Sequence, residues 1–364
     1  MKQEIPARRR LVGHGDNEVV SIGGRRIGFG HPPFVIAEMS GNHNGDIGRA
    51  FALIDAAHEA GADAVKLQTY RADTITIDHD GPGFTVEGGL WHGKRLYDLY
   101  DEAHTPWEWH ERLFQHAHSL GIDVFSSPFD DTAVDFLDGL GVPAFKVASF
   151  EAVDLPLIRK IASKGRPIII STGIADVGEI DAAVSAAVDE GAGEIILLHC
   201  VSGYPAPYAD MNLRTIPDMQ ERFGLIVGLS DHTMGLAIPV AAVALGAFVI
   251  EKHMTLRRSD GGPDAAFSLE PEEFGTMVTA VRQAWEALGE ASYERKASEK
   301  GNAAFRRSLY AVADIGPGEV LTDHNTRSIR PGFGLPPAML PELIGRRARF
   351  AIARGTPLSL DLIE

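Results

Sequence analysis

The sequence has one cysteine, no long apolar run and little positive charge, and each shortage excludes a class of protein. A single cysteine, Cys200, cannot form a disulfide within the chain, which predicts a reducing, cytoplasmic compartment. No run approaches the roughly 18 apolar residues of a membrane span, so no membrane association is expected. The charged amino terminus has no apolar core behind it and is not predicted to be a secretory signal. A net charge of −16 argues against nucleic-acid binding, which needs a basic face.

The charge is distributed unevenly along the chain. Residues 295–364 hold 11 Lys and Arg and 7 Asp and Glu, a net charge of +4, whereas the rest of the chain holds 23 and 43, a net charge of −20. This asymmetry favours docking of the basic tail on an acidic surface, in the same chain or in a partner. An anionic substrate has to be attracted by a few local Lys and Arg side chains, because the field of the whole protein is negative.

Short apolar runs alternate with segments of helical spacing along most of the chain. Each run is rich in Val, Ile and Phe and precedes a segment whose apolar residues recur every three or four positions. The eight runs are residues 34–38, 64–68, 122–126, 144–147, 167–171, 194–199, 225–229 and 248–252. This rhythm predicts a (β/α)8 TIM barrel. An open doubly wound sheet is the alternative, but MSGNHNGD after the first run does not fit the glycine fingerprint of that fold.

The predicted barrel domain covers residues 34–290. Residues 1–33 precede it as an extension, in which two short runs around a Gly-Gly pair predict a β-hairpin that covers the bottom of the barrel. Residues 291–305 are polar and predict a linker. Residues 306–364 pair β runs with glycine turns, which predicts a small β-rich domain.

Polar residues gather at the predicted carboxyl ends of the strands, where barrels carry their catalytic groups. Lys66 and Gln68 are two positions apart on one strand, so both side chains face the barrel mouth. Lys66 and Lys146 interrupt otherwise apolar strands, where an unpaired ammonium group is destabilising. Two lysines with hydroxyl groups on adjacent loops form a suitable cradle for phosphate or carboxylate. The other polar residues of these strand ends include Glu38, Ser127, Ser149, Ser171, Ser202, Tyr204, Ser230 and Glu251.

Two histidines follow adjacent strands at matching depths. His232 and His253 are therefore expected to lie close enough to share one divalent metal ion. Two protein ligands leave positions open for water or substrate, which suits a Lewis acid acting on a carbonyl group. Cys200 could be a third ligand or a nucleophile, but no base adjoins it in its motif, so we interpret it as a bystander.

Taken together, the strand-end motifs resemble those of the sialic (nonulosonic) acid synthase family. The motifs are AEMSGNHNG, GADAVKLQTY, FSSPFD, FKVASFE, STGIAD, GLSDHTMG and EKHMTL with GGPDAAFSLEP. The tail, FRRSLYAVADIGPGEVLT with RSIRPGFGLPP, is similar to the antifreeze-like (SAF) domain of that family. Within the family, EMSGNHN, TPWEWH and FSSPFD are more similar to the pseudaminic acid synthase branch than to the N-acetylneuraminate branch.

The resemblance implies roles for residues of both domains. It implies a divalent metal, Mn²⁺ or Mg²⁺, on His232 and His253. It implies a phosphoenolpyruvate site of Lys66, Ser127, Lys146, Ser149, Ser171, Ser202 and Ser230, where Ser202 stands in place of the family's asparagine. It implies sugar contacts from Glu38, Gln68, Tyr204, Asp264 and, from the partner chain of a domain-swapped homodimer, Arg330. Glu251 is a plausible carboxylate for proton handling.

The activity implied by the resemblance is the condensation of phosphoenolpyruvate with an N-acylated amino sugar. The sugar expected is 2,4-diacetamido-2,4,6-trideoxy-L-altrose, which with water would give pseudaminic acid and phosphate. N-acetylneuraminate or legionaminate synthesis is the alternative, and the long loop 71–104 is expected to read the difference. Catalysis is assigned to Glu38, Lys66, Lys146, His232 and His253. Two more distant readings are a Schiff-base aldolase that uses Lys146 and a sugar-binding protein without turnover.

Overall fold

The computed structural model describes residues 19–364, which divide into two compact units between Gly289 and Glu290. Residues 1–18 of the predicted amino-terminal extension lie outside the described residues. Within the described range, no helix is long and apolar enough to cross a membrane.

The first unit is built on a closed barrel of eight parallel strands within the described chain. The strands, in chain order, are β3 (Phe34–Glu38), β4 (Ala64–Thr69), β5 (Asp123–Pro128), β6 (Phe145–Val147), β7 (Ile168–Ser171), β8 (Ile195–Cys200), β9 (Ile226–Asp231) and β10 (Val249–His253). Strand β10 pairs with β3, so the sheet has no edge. The predicted TIM barrel is confirmed, and each predicted strand is found within two residues of its expected bounds.

Helices follow the strands, and all but α2 and α3, which lie at the cavity, cover the outside of the barrel. They are α1 (Ile47–Glu59), α2 (Ala72–Ile75), α3 (Leu96–Ala103), α4 (His110–Leu120), α5 (Asp131–Gly139), α6 (Leu155–Ala162), α7 (Val177–Asp189), α8 (Thr215–Phe223), α9 (Ala237–Ala244) and α10 (Pro271–Leu288). Helix α1 shows how the sequence sets the bounds. The Asp46 carboxylate accepts a hydrogen bond from the Gly48 N–H at its start, and Gly61 beyond its end has a φ of 82°.

A β-hairpin precedes the barrel and covers its amino-terminal end. Strands β1 (Val19–Ile22) and β2 (Arg25–Gly28) pair in antiparallel fashion, and Ile22 and Ile27 are buried against the barrel core. The Arg25 guanidinium contacts the carboxylate of Asp63, which lies immediately before β4. Because this end is filled by the hairpin, the opposite, carboxyl end of the strands is left as the place for a site.

The segment that follows β4 is more ordered than the loop predicted from the sequence. It contains α2 and α3, and between them the backbones of Val86 and Lys94 are hydrogen-bonded as in a hairpin. The hydrophobic residues Leu96 and Leu99 face inward from α3. The segment is therefore built from helices and a paired turn rather than from an irregular loop.

The second unit is a small β-rich domain with its own core. Strand β11 (Ser308–Ala311) pairs with β12 (Thr326–Ile329), and the short helix α11 (Leu340–Leu343) follows. The core is formed by Leu309, Ala311, Ile315, Leu321, Leu343, Ala348, Ile352, Leu358 and Ile363. Several isolated β-bridges connect the turns around this core.

Candidate active site

A cavity of about 390 Å³ opens at the carboxyl ends of the barrel strands. The residues that line it come from all eight barrel strands or the turns that follow them. Those expected from the sequence are Lys66, Gln68, Lys146, Ser149, Ser171, Tyr204, Ser230, His232, Glu251, His253 and Asp264. The alternation of side chains along a strand explains why Lys66 and Gln68 on β4, and Glu251 and His253 on β10, line the cavity together, because every second residue points into the barrel.

Lys66 lies between two carboxylates at the floor of the cavity. Its ammonium group contacts Glu38, lies 3.6 Å from Glu251 Oε2, and donates to Ser127 Oγ at 3.4 Å. Gln68 Nε2 donates to Glu38 Oε1 at 3.3 Å. Lys66 and Glu251 are only 4% exposed, so these charges are held in a region with little water.

Lys146 lies on the other side of Glu251. Its Nζ is 3.8 Å from Glu251 Oε1 and donates to Ser171 Oγ at 2.7 Å. Ser230 Oγ donates to the same Glu251 oxygen at 2.8 Å. Glu251 thus links the two lysines and a hydroxyl group, and it is the centre of the cluster rather than an outlying carboxylate.

The electrostatics of the cluster favour a positive floor. Burial raises the pKa of Glu38 to about 7, against the opposing effect of Lys66. Burial lowers the pKa of Lys146 to about 8, although Glu251 opposes the shift. Glu251 is also buried, but Lys146 and Lys66 outweigh its burial and hold its pKa below the usual range. Near neutral pH the cluster therefore has two cationic lysines against one firmly ionised carboxylate.

His232 and His253 face each other at the rim of this floor, as the sequence predicted. Their ring centroids are 5.3 Å apart. Burial and the neighbouring His232 hold the pKa of His253 well below its usual range, so the ring is neutral. Its Nδ1 is buried and without a hydrogen-bond partner among the described residues. A neutral imidazole with a free nitrogen is the form that binds a metal ion.

The two histidines fit a divalent ion that has few protein ligands. Over residues 19–364, no group of three or more His, Cys, Asp or Glu side chains is arranged to hold a metal. Cys200 Sγ lies 3.7 Å from His232 Nδ1, the nitrogen that also lies 3.1 Å from the Val201 carbonyl. Nδ1 is therefore engaged with the protein, which leaves Nε2 of His232 as the nitrogen suited to an ion.

The remaining predicted residues are placed at different depths. The Tyr204 ring lies tilted at 45° beside His232 with ring centroids 4.5 Å apart, and Asp264 accepts a hydrogen bond from the Ser40 hydroxyl. Glu38 and Ser127 lie behind the cavity surface and reach it through Lys66. Ser202 does not line the cavity, and its hydroxyl has no hydrogen-bond partner among the described residues.

Arg330 lies in the second unit, where it is exposed at the end of β12. Its backbone continues into a turn that is fastened to the domain core. The Ser308 hydroxyl donates to the Pro331 carbonyl at 2.7 Å, and the Gly334 N–H donates to Ser308 Oγ at 2.9 Å. The guanidinium is therefore presented from a well-anchored part of the small domain.

Several lining residues were not singled out from the sequence. They are Ser40, Tyr70, Phe129, Ala148, Phe150 and Glu151, together with apolar residues of the segment after β4. Burial raises the pKa of Glu151 to about 7, and its Oε2 has no hydrogen-bond partner in the described chain. The signal for Glu151 was available, since it lies two positions after Ser149 in the turn that follows β6.

The fold and the cavity have the features of a barrel enzyme that acts on a small anionic substrate. Residues 53–293 match the NeuB family, and residues 306–364 match the SAF domain. The chain belongs to the NeuB family, and the resemblance predicted from the motifs, including the SAF domain, is confirmed.

Curated relatives and a solved structure narrow the comparison. Pseudaminic acid synthase of Campylobacter jejuni is 45% identical over 325 residues, which cover 89% of this chain and 95% of that protein. Pseudaminic acid synthase of Helicobacter pylori is 44% identical over 335 residues, which cover 92% and 98%. N-acetylneuraminic acid synthetase of Leptospira borgpetersenii, crystallised in complex with citrate, matches with a TM-score of 0.70 at 33% identity and covers 78% of this chain and 95% of that one.

Proposed function

We propose that the protein is a pseudaminic acid synthase. It condenses phosphoenolpyruvate with 2,4-diacetamido-2,4,6-trideoxy-L-altrose and water to give pseudaminic acid and phosphate. The observation that carries the proposal is the pair of buried lysines around Glu251, in a NeuB-family chain that is 45% identical to a pseudaminic acid synthase over most of its length. Phosphoenolpyruvate is an intracellular metabolite, so a cytoplasmic location is part of the proposal.

Phosphoenolpyruvate fits the floor of the cavity by charge and by hydrogen bonding. Lys66 and Lys146 supply two ammonium groups for its phosphate and carboxylate. Ser149, Ser171 and Ser230 line the same floor, and Ser127 and Ser202 lie close behind it. The hydroxyls of Ser171 and Ser230 already bond to Lys146 and Glu251, so they are oriented before a substrate arrives.

The proposed reaction forms a carbon–carbon bond and breaks a carbon–oxygen bond. The C3 carbon of phosphoenolpyruvate attacks the sugar aldehyde, and water adds to the cationic C2 carbon that develops. The tetrahedral adduct then releases inorganic phosphate and leaves a 2-keto acid. Glu38, whose pKa of about 7 lets it gain and lose a proton near neutral pH, takes the proton from the attacking water by way of Lys66, which lies between Glu38 and the cavity. The two lysines stabilise the phosphate before and after it leaves.

A divalent ion belongs to this proposal as the Lewis acid that activates the aldehyde. Held by His232 and His253, Mn²⁺ or Mg²⁺ would polarise the aldehyde oxygen of the open-chain sugar. The support is the pair of adjacent imidazoles, one with a buried, unpartnered nitrogen. The choice between the two metals is left to experiment, because imidazoles with water accept several divalent ions.

The sugar is placed above the floor by side chains at the rim. Gln68, Tyr204 and Asp264 line the cavity there, and Glu38 reaches it through Gln68. In the proposed homodimer, Arg330 of the small domain binds the acyl side of the sugar in the partner's barrel. Its exposure and the net charge of +4 on residues 295–364 support this arrangement.

Phosphate release tests the activity and its substrate. Purified protein with Mn²⁺ and phosphoenolpyruvate is given the trideoxy sugar, its legionaminate-type isomer or N-acetylmannosamine. We expect release only when a sugar is present and the highest kcat/KM with the altrose derivative. A higher kcat/KM with N-acetylmannosamine would contradict the choice of sugar. Release without a sugar, or trapping of pyruvate on Lys146 by borohydride, would contradict the reaction.

Mixed dimers test the exchange of the small domain. Arg330→Ala chains and Lys146→Ala chains are each expected to be inactive in sugar condensation. After subunit exchange, a mixed dimer should regain one working site, in which an intact Lys146 meets an intact Arg330. No recovery in dimers that have demonstrably exchanged would show that the small domain serves its own barrel.

A further inference from the structure

The segment after β4 builds a roof over the outer half of the cavity. We call residues 72–103 the roof segment. It contributes more of the cavity wall than any other connection between barrel strands, and nearly all of what it contributes is apolar. The lining residues are Ile75, Val86, Trp91, Leu96, Leu99 and Ala103, with Tyr100 as the polar member.

The roof segment crosses the mouth of the barrel and is fastened at its tip. Val86 and Lys94 are paired through backbone hydrogen bonds, and Gly88 and Gly89, with φ of 80° and 71°, turn the chain so that Trp91 lies at the tip. The Trp91 indole Nε1 donates to the Pro263 carbonyl at 2.8 Å. Since Pro263 follows β10, the roof joins loops that follow two different strands.

A chain of rings leads from the roof to the histidines. Trp91 lies 5.3 Å from Tyr204 between ring centroids, and Tyr204 lies 4.5 Å from His232. The apolar wall therefore begins one ring away from the place where the sugar aldehyde reacts in the proposed function. A sugar that reaches the floor with its aldehyde end has the rest of its carbon chain against the roof.

We propose that the roof segment is the specificity element of the acceptor site: its apolar residues hold the methyl groups of a 6-deoxy, N-acylated sugar, and Trp91 closes the chamber over them. This inference rests on the proposed function. A C6 hydroxyl group would be buried against Ile75, Val86 or Leu96, whose side chains offer no hydrogen-bond partner, and its desolvation would not be compensated. A methyl group gains contact with the same wall.

Two isoleucines in the roof segment provide a matched test. Ile75 lines the cavity, whereas Ile77 is 58% exposed and faces away from it. The measurement compares two sugars that differ only at C6, which is a methyl group in one and carries a hydroxyl group in the other. It is the ratio of kcat/KM for the 6-deoxy sugar to kcat/KM for the 6-hydroxy sugar. We expect a ratio of about 10–100 in the wild type, a fall of about tenfold in Ile75→Ser and no change in Ile77→Ser.

Variants of Trp91 supply a second measurement, which distinguishes loss of the closed sugar chamber from a general loss of structure. Trp91→Ala should raise the KM for the sugar about tenfold and leave the KM for phosphoenolpyruvate unchanged, because the roof lies above the lysine floor. Trp91→Phe should fall between the wild type and Trp91→Ala, since it keeps the ring beside Tyr204 and loses the hydrogen bond to Pro263.

Failure of the role given to the roof segment and failure of the proposed function would give different results. Equal ratios in Ile75→Ser and Ile77→Ser, or a Trp91→Ala variant that changes both KM values alike, would overturn the role of the roof while the enzyme remains a synthase. A wild-type protein that releases no phosphate with any sugar would overturn the proposed function, and this inference with it.

Discussion

Two buried lysine clusters lie at the carboxyl ends of the barrel strands, and they differ in how completely their charges are paired. Lys252, outside the cavity, lies 2.5 Å from Asp231 Oδ2 and from the Thr233 carbonyl. The other Asp231 oxygen accepts from the Thr233 N–H at 2.9 Å. In the cavity, Lys66 contacts Glu38, whose pKa burial raises to about 7, and Lys66 and Lys146 share the ionised Glu251 at 3.6 and 3.8 Å. The first cluster is closed on itself, and the second retains positive charge for a ligand.

The difference in charge pairing indicates that the Lys252 cluster stabilises the fold, whereas the cluster of Lys66 and Lys146 binds a ligand. A buried ion pair at short range has to satisfy both partners, because each carries a large desolvation cost. Two lysines that share one firmly ionised carboxylate keep positive charge for a further anion. Burial alone does not distinguish the two clusters, since Lys252 and Lys146 are both 1% exposed. The number of firmly ionised carboxylates does, since Lys252 has Asp231 to itself while Lys66 and Lys146 share Glu251.

Breaking the closed pair should produce the largest effect on stability. Lys252→Met leaves Asp231 buried and unpaired, which is expected to lower the free energy of unfolding by about 3–5 kcal/mol. Thermal unfolding followed by circular dichroism should show a fall in Tm of about 10 °C. An unchanged Tm would mean that Asp231 is paired elsewhere or protonated without cost.

Removing a lysine of the open cluster should instead affect activity. Lys146→Met is expected to lower kcat/KM by about 100–1000-fold, because one of two cations is lost from the phosphate site. Its Tm should stay within a few degrees of the wild type, since Glu251 keeps Lys66. Steady-state phosphate release and thermal unfolding on the same samples check both statements. A variant that unfolds but keeps its specific activity would reverse the assignment of the two clusters.

The open cluster should also give the enzyme a narrow pH optimum. Below about 7, Glu38 gains a proton and can no longer act as a base, and above about 8, Lys146 loses its positive charge. We expect a bell-shaped profile of kcat/KM, with tenfold losses per pH unit outside these limits. The two apparent values belong to the coupled cluster.

Glu151 is the control for this profile, because its pKa is also about 7 and it lines the same cavity. Glu151→Gln should keep the rising limb. If the rise of kcat/KM with pH on the acid side disappears in that variant, Glu151 and not Glu38 controls this rise, and the role given to Glu38 is wrong.

The smallest effect is expected at the amino-terminal end of the barrel. The Asp63 carboxylate contacts Arg25, lies 3.1 Å from Arg282 and accepts from the Val35 N–H at 2.7 Å. Arg25→Ala should lower the free energy of unfolding by at most about 1 kcal/mol, since the Arg25 side chain is half-exposed and two partners remain. Urea unfolding checks this value. If Arg25→Ala lowered the free energy of unfolding as much as Lys252→Met, the remaining partners of Asp63 would not be what stabilises this buried carboxylate.

The barrel and its floor could be predicted from the sequence because their signals are local. Apolar runs followed by segments of helical spacing identified the strands, and the two-residue alternation placed Lys66 and Gln68 on the inner face. Lys146, His232 and His253 could be found in the same way, as polar residues at the ends of apolar strands. The central position of Glu251 could not, since it depends on the distances between three strands.

The roof segment could not be predicted for a related reason. Trp91 contacts Tyr204 and the Pro263 carbonyl, which are more than a hundred residues away along the chain. No spacing rule connects these positions, because the path of a long connection is set by where its side chains find partners. The sequence indicated only that the segment was long.

One measurement tests the central claim, that water adds at the C2 carbon of phosphoenolpyruvate and not at its phosphorus. The condensation is run in water enriched in ¹⁸O, and the released phosphate is analysed by mass spectrometry. Cleavage of the carbon–oxygen bond leaves the bridging oxygen with phosphorus, so the account predicts phosphate free of the label. Label in the phosphate would mean that water attacks phosphorus, which would contradict the proposed reaction.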